Sequence, residues 1–226
     1  LIDVLRLSRG MTYKSAVADT ELGGGKSVII GDPSLKSDAL FRAMGRFVDS
    51  LGGTYITAED MNIKIVDLEV VQQETKWVTG LAREAGSSGN PSPYTAYGCL
   101  VGIEATLQEA FGSSDCKGRS VLIQGVGAVG GRLAELLAER GADVIICDIN
   151  DERVASLAKE HGYRSVPDEG HEAVECDVYA PCARGATLND ESIPRLACKV
   201  IAGCANNQLA EVRHGQMLTE RGILYA

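Results

Sequence analysis

Apolar residues recur at helical spacing at the start of the chain, where Leu1, Val4, Leu5 and Leu7 form a stripe that the pattern ends near Gly10. Residues 27–31 (Ser-Val-Ile-Ile-Gly) read as a strand, and Asp32-Pro33 breaks it. Ser34 or Ser37 can cap a helix whose inward face is Leu40, Phe41, Met44, Phe47 and Val48, and Gly52-Gly53 stops that helix. A short strand is predicted over 54–57, delivering Glu59 and Asp60 to its end, with a helix over about 66–78. Strands alternating with helices predict an α/β architecture.

The sharpest punctuation is Gly86-Ser87-Ser88-Gly89-Asn90-Pro91-Ser92-Pro93, rich in residues that disfavour regular structure. It is read as a boundary or hinge dividing the chain into domains at 1–90 and 91–226. A helix over 94–111 follows and ends at Gly112. Residues 120–124 (Ser-Val-Leu-Ile-Gln) read as an apolar-centred strand running into Gly125-Val126-Gly127-Ala128-Val129-Gly130, then a helix to Arg140, then a second strand ending in Asp148. Strand, glycine turn, helix start and a carboxylate about 20 residues on are the context a dinucleotide fingerprint requires, the helix start taking the pyrophosphate and the acid the ribose diol. Asp148 would repel a 2′-phosphate, which favours NAD over NADP, although Arg153 stands near enough to weaken that preference. Strands at about 176–180, 199–203 and 223–226 complete a doubly wound Rossmann-type sheet. Ala205-Asn206-Asn207-Gln208 follows one of them, at the end where ligands of such sheets bind; Asn206 or Asn207 serves equally well as a helix cap.

Two lysines stand out before the boundary, Lys14 in Gly10-Met11-Thr12-Tyr13-Lys14 and Lys26 behind Gly23-Gly24-Gly25. A lysine after three glycines can approach a ligand with little bulk beside it. One ammonium could hold a carboxylate, while a second, crowded by the first and partly desolvated, could act as a base. A glycine turn with an ordinary surface lysine explains the same residues. Gly25-Lys26-Ser27 also looks like the end of a phosphate-binding loop, but Thr20 stands where that motif needs glycine, the strand follows rather than precedes it, and Asp19 and Glu21 would repel phosphate.

The 226 residues suffice for one large or two modest cores, and a formal charge of −9 argues against a nucleic-acid surface. No apolar run is long enough to span a bilayer and no signal-peptide pattern opens the chain, so a cytoplasmic protein is expected. The seven cysteines form no Cys-x-x-Cys pair and the three histidines lack ligand spacing; they read as small buried residues in a reducing compartment, with no metal site. Residue 1 is not methionine and lies in a helical pattern, and the chain stops just after an apolar strand pattern, so a fragment of a longer protein is expected.

The order of Gly10 to Lys14, Gly23 to Lys26, Thr57-Ala58-Glu59-Asp60, Gly89-Asn90-Pro91-Ser92-Pro93, Gly125-x-Gly127-x-x-Gly130 and Ala205 to Gln208 resembles the leucine and phenylalanine dehydrogenase branch of the Glu/Leu/Phe/Val amino acid dehydrogenases, across essentially the whole chain. The resemblance implies a homo-oligomer that reversibly deaminates an apolar or aromatic L-amino acid with NAD, giving the 2-oxo acid and ammonia. It makes 1–90 a partial substrate domain and 91–226 the NAD domain with its connecting helix. By the same resemblance Lys14 binds the substrate carboxylate, Lys26 activates water, Asp60 engages the amino group, Asn206 lies near substrate and nicotinamide, and Thr95 lies near the carboxamide. Gly125, Gly127, Ala128, Val129, Gly130 and Asp148 hold the dinucleotide. Where most relatives have Gly-Thr after the acid, this chain has Met61-Asn62-Ile63, which resembles the tryptophan-using branch and leaves the substrate open. The rival readings are a non-catalytic NAD-binding regulator, which would need the fingerprint but not the lysines, and a dehydrogenase of glutamate or a 2-hydroxy acid.

Overall fold

The computed structural model describes residues 1–87 and 89–226; Ser88, in the middle of the expected boundary, lies outside the described residues. The chain divides into two compact units, Leu1–Pro91 and Ser92–Ala226.

The first unit is helical, with α1 at Ile2–Val17, α2 at Asp38–Ser50 and α3 at Ile65–Gln72. The expectation that the first helix ends near Gly10 is corrected: α1 runs through it. A glycine inside a helix costs only about 1 kcal/mol relative to alanine, which the turns on either side outweigh. The helix ends at Ala18, before Asp19 takes a left-handed φ of 52°. Lys14 therefore sits in the last turn of α1 rather than in a loop.

No strand forms over 27–31, where Val28 and Ile30 are exposed. Apolar β-branched residues favour a strand only when a neighbouring ladder takes their backbone groups. Among the described residues of this unit, the β pairing is a single bridge between Thr57 and Val78, which also replaces the expected strand over 54–57. Ser37 caps α2 by accepting from the Leu40 N–H at 3.3 Å. Phe41, Gly45 and Val48 are buried, whereas Phe47 is 59% exposed and not inward as expected. Phe47 lies six residues, about 600° of helix, beyond Phe41 and points away, while Val48 returns to the same face. A Cβ at Gly45 would lie 2.8 Å from the Val71 carbonyl oxygen, so glycine is what lets α2 sit against α3. The helix predicted to reach Val78 stops at Gln72, because Val78 joins the bridge and the Thr75 hydroxyl turns the chain, accepting from the Trp77 N–H and donating to Asp49 at 3.1 Å each.

The second unit opens with α4 at Ser92–Phe111, followed by β1 (Ser120–Gln124), α5 (Ala128–Glu139), β2 (Asp143–Cys147), α6 (Asp151–His161), β3 (Arg164–Ser165), β4 (Cys176–Pro181), β5 (Cys198–Ile201), α7 (Arg213–Glu220) and β6 (Leu224–Tyr225). All pairs are parallel, in the order β3-β2-β1-β4-β5-β6. This is a doubly wound Rossmann-type sheet, and the order in which strands are added reverses between β1 and β4. Side chains alternate across it: Val121 and Ile123 pack with Leu100, Ile103, Leu133 and Leu137 of α4 and α5, while Leu122 faces Tyr179, Ile193 and Leu218 on the other side. Burial on both faces explains why β1 reads as a continuous apolar run. Sequence patterning misses β3, whose two residues are both exposed. Among the described residues, no helix is long and apolar enough to cross a membrane.

Candidate active site and dinucleotide cradle

In the second unit, β1 delivers the glycine turn to the switch point. Gly125 has φ of 94°, and a Cβ there would lie 2.7 Å from the Ala183 Cβ, so turn and neighbouring chain both demand glycine. A Cβ at Gly130 would lie 1.9 Å from the Gly125 carbonyl oxygen, so this glycine lets α5 press against the turn. Gly127 is different: nothing lies within 4 Å of its would-be Cβ, and it caps α5 without a side-chain hydrogen bond. The space beside Gly127 is open, and Ala128 and Val129 begin the first turn of α5 directly after it. The N–H groups of that turn are those a helix leaves without internal partners, and a diphosphate there would satisfy them. Gly130→Ala is expected to cost about 1–3 kcal/mol of stability, since a backbone carbonyl cannot yield as a side chain can. Thermal melting and an NADH titration would register it together.

Asp148 follows β2 and is buried. Its Oδ2 accepts from the Val126 N–H at 2.8 Å and its Oδ1 from the Asn150 N–H at 2.9 Å, tying the strand end to the glycine turn. An ionised carboxylate has about four lone-pair sites, so acceptor capacity remains for a ribose diol. The Arg153 guanidinium stands 3.9 Å from Oδ2. The residues present thus fit a dinucleotide: a helix start with no side-chain cap, an open glycine and an acid tied to the same turn.

Asn206 is exposed in the turn beyond β5. The turn is docked on the 185–188 segment, with the Ala186 N–H donating to the Asn207 carbonyl at 2.8 Å and the Leu188 N–H to that of Gln208 at 3.0 Å. Val212 is the residue that precedes α7, so neither Asn206 nor Asn207 caps that helix. Thr95 is exposed in the first turn of α4.

In the first unit, the glycine run lies against α1. A Cβ at Gly24 would meet the Ser8 carbonyl oxygen at 2.2 Å, and one at Gly25 the Tyr55 ring at 2.7 Å. The Ser8 and Ser15 hydroxyls donate to the carbonyls of Gly24 and Gly23 at 2.9 and 3.1 Å. The run is therefore a fixed strap rather than a free loop, and it presents Lys26 to Asp60, with which it forms an ion pair. Asp60 opens a turn closed by the Ile63 N–H donating to its carbonyl at 2.9 Å, with Asn62 at φ of 61°. The other carboxylate oxygen of Asp60 accepts from the Met61 N–H at 2.7 Å. Glu59 next to it has a buried oxygen without a partner among the described residues, and desolvation pushes its carboxyl above the usual range. What sequence reading missed is in the second unit, where Cys99, Cys182 and Cys204 converge.

Residues 1–82 match the sequence model of the Glu/Leu/Phe/Val dehydrogenase dimerisation domain, and residues 86–153 that of the Glutamate/Leucine/Phenylalanine/Valine dehydrogenases. The chain belongs to this family. It is 53% identical over 227 residues to leucine dehydrogenase of Geobacillus stearothermophilus and 54% over 226 residues to that of Thermoactinomyces intermedius, covering 100% and 99% of this chain. The chain spans 62% of the length of each of these two relatives. Among solved structures, L-tryptophan dehydrogenase from Nostoc punctiforme superposes with a TM-score of 0.75 at 42% identity, over 99% of this chain and 64% of the other. Residues 121–196 also match the model of ketopantoate reductase PanE/ApbA. That segment runs from β1 to just before β5.

Proposed function

We propose that the whole protein to which this chain belongs reversibly deaminates an apolar or aromatic L-amino acid with NAD, releasing the 2-oxo acid and ammonia. The observation that carries this reading is the Lys26–Asp60 ion pair on a strap packed to α1, in a chain whose other unit carries a dinucleotide cradle. A dinucleotide-binding regulator would need only the cradle. A bound dinucleotide would supply the acceptor for the hydride that leaves the amino acid Cα. Lys26 then activates the water that attacks the resulting imine, and Asp60 engages the amino group and takes up or returns protons. Lys14, in the last turn of α1, binds the substrate carboxylate.

NAD is favoured over NADP because Asp148 offers an acceptor to a free ribose diol and a repulsive charge to a 2′-phosphate. Asn206 is assigned to substrate and nicotinamide and Thr95 to the carboxamide; their exposed positions leave them accessible to ligand. On this reading Leu1–Pro91 supplies the amino acid site and Ser92–Ala226 the NAD site. A homo-oligomer is supported by the family description of residues 1–82 and by exposed Leu5, Val17, Val28 and Ile30. A cytoplasmic setting suits seven cysteines of which none is in a disulfide.

The deciding experiment follows absorbance in the NADH band with full-length protein, NAD and a panel of L-amino acids. Turnover on leucine, valine, phenylalanine or tryptophan supports the reading. NADH binding without turnover on any amino acid would favour the regulator instead. Lys14→Ala is expected to raise the Michaelis constant for the amino acid with a smaller change in turnover, because a carboxylate present throughout the reaction is held equally in ground and transition states. An unchanged constant would move the carboxylate site elsewhere.

A further inference from the structure

Cys99, Cys182 and Cys204 are far apart in sequence, yet their sulfur atoms all lie within 4.8 Å of one another. They come from three elements of the second unit: Cys99 from α4, Cys182 from the residue after β4, and Cys204 from the loop after β5. None is in a disulfide, and all three are only partly buried, whereas Cys116, Cys147, Cys176 and Cys198 are sealed in the interior. The backbone around them is fixed. The Cys182 N–H donates to the Gln124 carbonyl at 2.7 Å and the Ala205 N–H to that of Pro181 at 2.9 Å, holding both loops to the sheet.

We propose that Cys99, Cys182 and Cys204 form a three-sulfur site for a soft divalent cation of the zinc class, with a fourth position open to water. With Zn–S bonds of about 2.3 Å, two sulfurs on one tetrahedral ion stand about 3.8 Å apart. Sulfurs already within 4.8 Å need move by no more than about 1 Å to meet that spacing. The donor set is sulfur alone, which excludes calcium and magnesium, cations that take oxygen. A thiol must give up its proton to bind a metal, so affinity rises with pH. The site abuts the glycine turn, since a Cβ at Gly130 would lie 3.2 Å from the Cys182 Cβ. Occupancy would tie α4 to the ends of β4 and β5.

The site does not depend on the dehydrogenase reading, and its test reads metal directly. Full-length reduced protein is titrated with cadmium, following the ultraviolet thiolate-to-metal charge-transfer band, with zinc competing in a second titration. One cadmium per chain is expected, bound more tightly at pH 8 than at pH 6. Affinity should fall at least tenfold in Cys99→Ser and in Cys204→Ser, and stay unchanged in Cys116→Ser. Cys182 packs against the glycine turn, so Cys99 and Cys204 carry the test, with circular dichroism confirming their fold. Absence of the band at stoichiometric cadmium, or a band that survives in a Cys99→Ser, Cys204→Ser double variant, would overturn the proposal.

Discussion

Lys26→Ala in the full-length protein is expected to lower turnover by about 10² to 10⁴, the range that loss of a positioned acid–base group produces. NADH binding should be nearly unchanged, because the dinucleotide cradle is built wholly from the second unit. The fold should survive as well. The side chains of Lys26 and Asp60 are 23% and 46% exposed, and an ion pair so open to water contributes only about 0–1 kcal/mol to stability. A large fall in rate with a small change in melting temperature would therefore be chemical in origin. Asp60→Asn separates the two partners: it keeps the side-chain shape and an acceptor for the Met61 N–H, but removes the charge facing Lys26. Its turnover should fall too, with melting close to that of the parent. Near-normal turnover in Lys26→Ala would remove the water-activating role and leave the pair as a structural tie between the glycine strap and the turn at Asp60.

The parts of the molecule legible in sequence are those fixed by local pattern. Residues 120–124 are β1 to the residue, because five apolar or tolerant positions between a polar connector and a glycine turn admit no other buried element. The glycine turn was legible in kind, since Gly125 takes a left-handed φ and Gly130 has a carbonyl where a Cβ would be. Residues 27–31 depart from their pattern for the opposite reason: Val28, Ile29 and Ile30 carry strand propensity, but a strand exists only where another pairs with it, and the described residues of that unit supply no such partner. Gly10 does not stop α1, because the penalty of one glycine is small against a whole helix. Lys26 and Asp60 are 34 positions apart, and only the folded strap shows them in contact. The three thiols lie still further beyond sequence reading, since their meeting depends on the order of β4 and β5 in the sheet and on which face α4 covers.

The second large effect is expected at Asp148. Asp148→Ser should narrow the discrimination between NAD and NADP, since it removes both an acceptor for the ribose diol and a charge that repels a 2′-phosphate. Arg153, 3.9 Å from the carboxylate in the parent, would then lose its acidic neighbour and be free to meet that phosphate. A hydrogen bond to a charged group contributes about 1.5–3 kcal/mol, so NAD affinity should fall roughly ten- to hundredfold. Part of that loss would be indirect. Val126 is buried and its N–H donates to Asp148 at 2.8 Å, so serine, one carbon shorter, leaves the glycine turn without its tie to β2. Asp148→Asn distinguishes the two contributions, because its amide oxygen can still accept from Val126 while the charge is gone. If charge decides cofactor choice, both variants move the ratio of kcat/KM for NAD and NADP by similar factors, and only serine lowers the melting temperature appreciably. If the tie decides, asparagine behaves like the parent in both measurements. A parent protein that already prefers NADP would overturn the assignment of Asp148 to the ribose and shift it to Arg153.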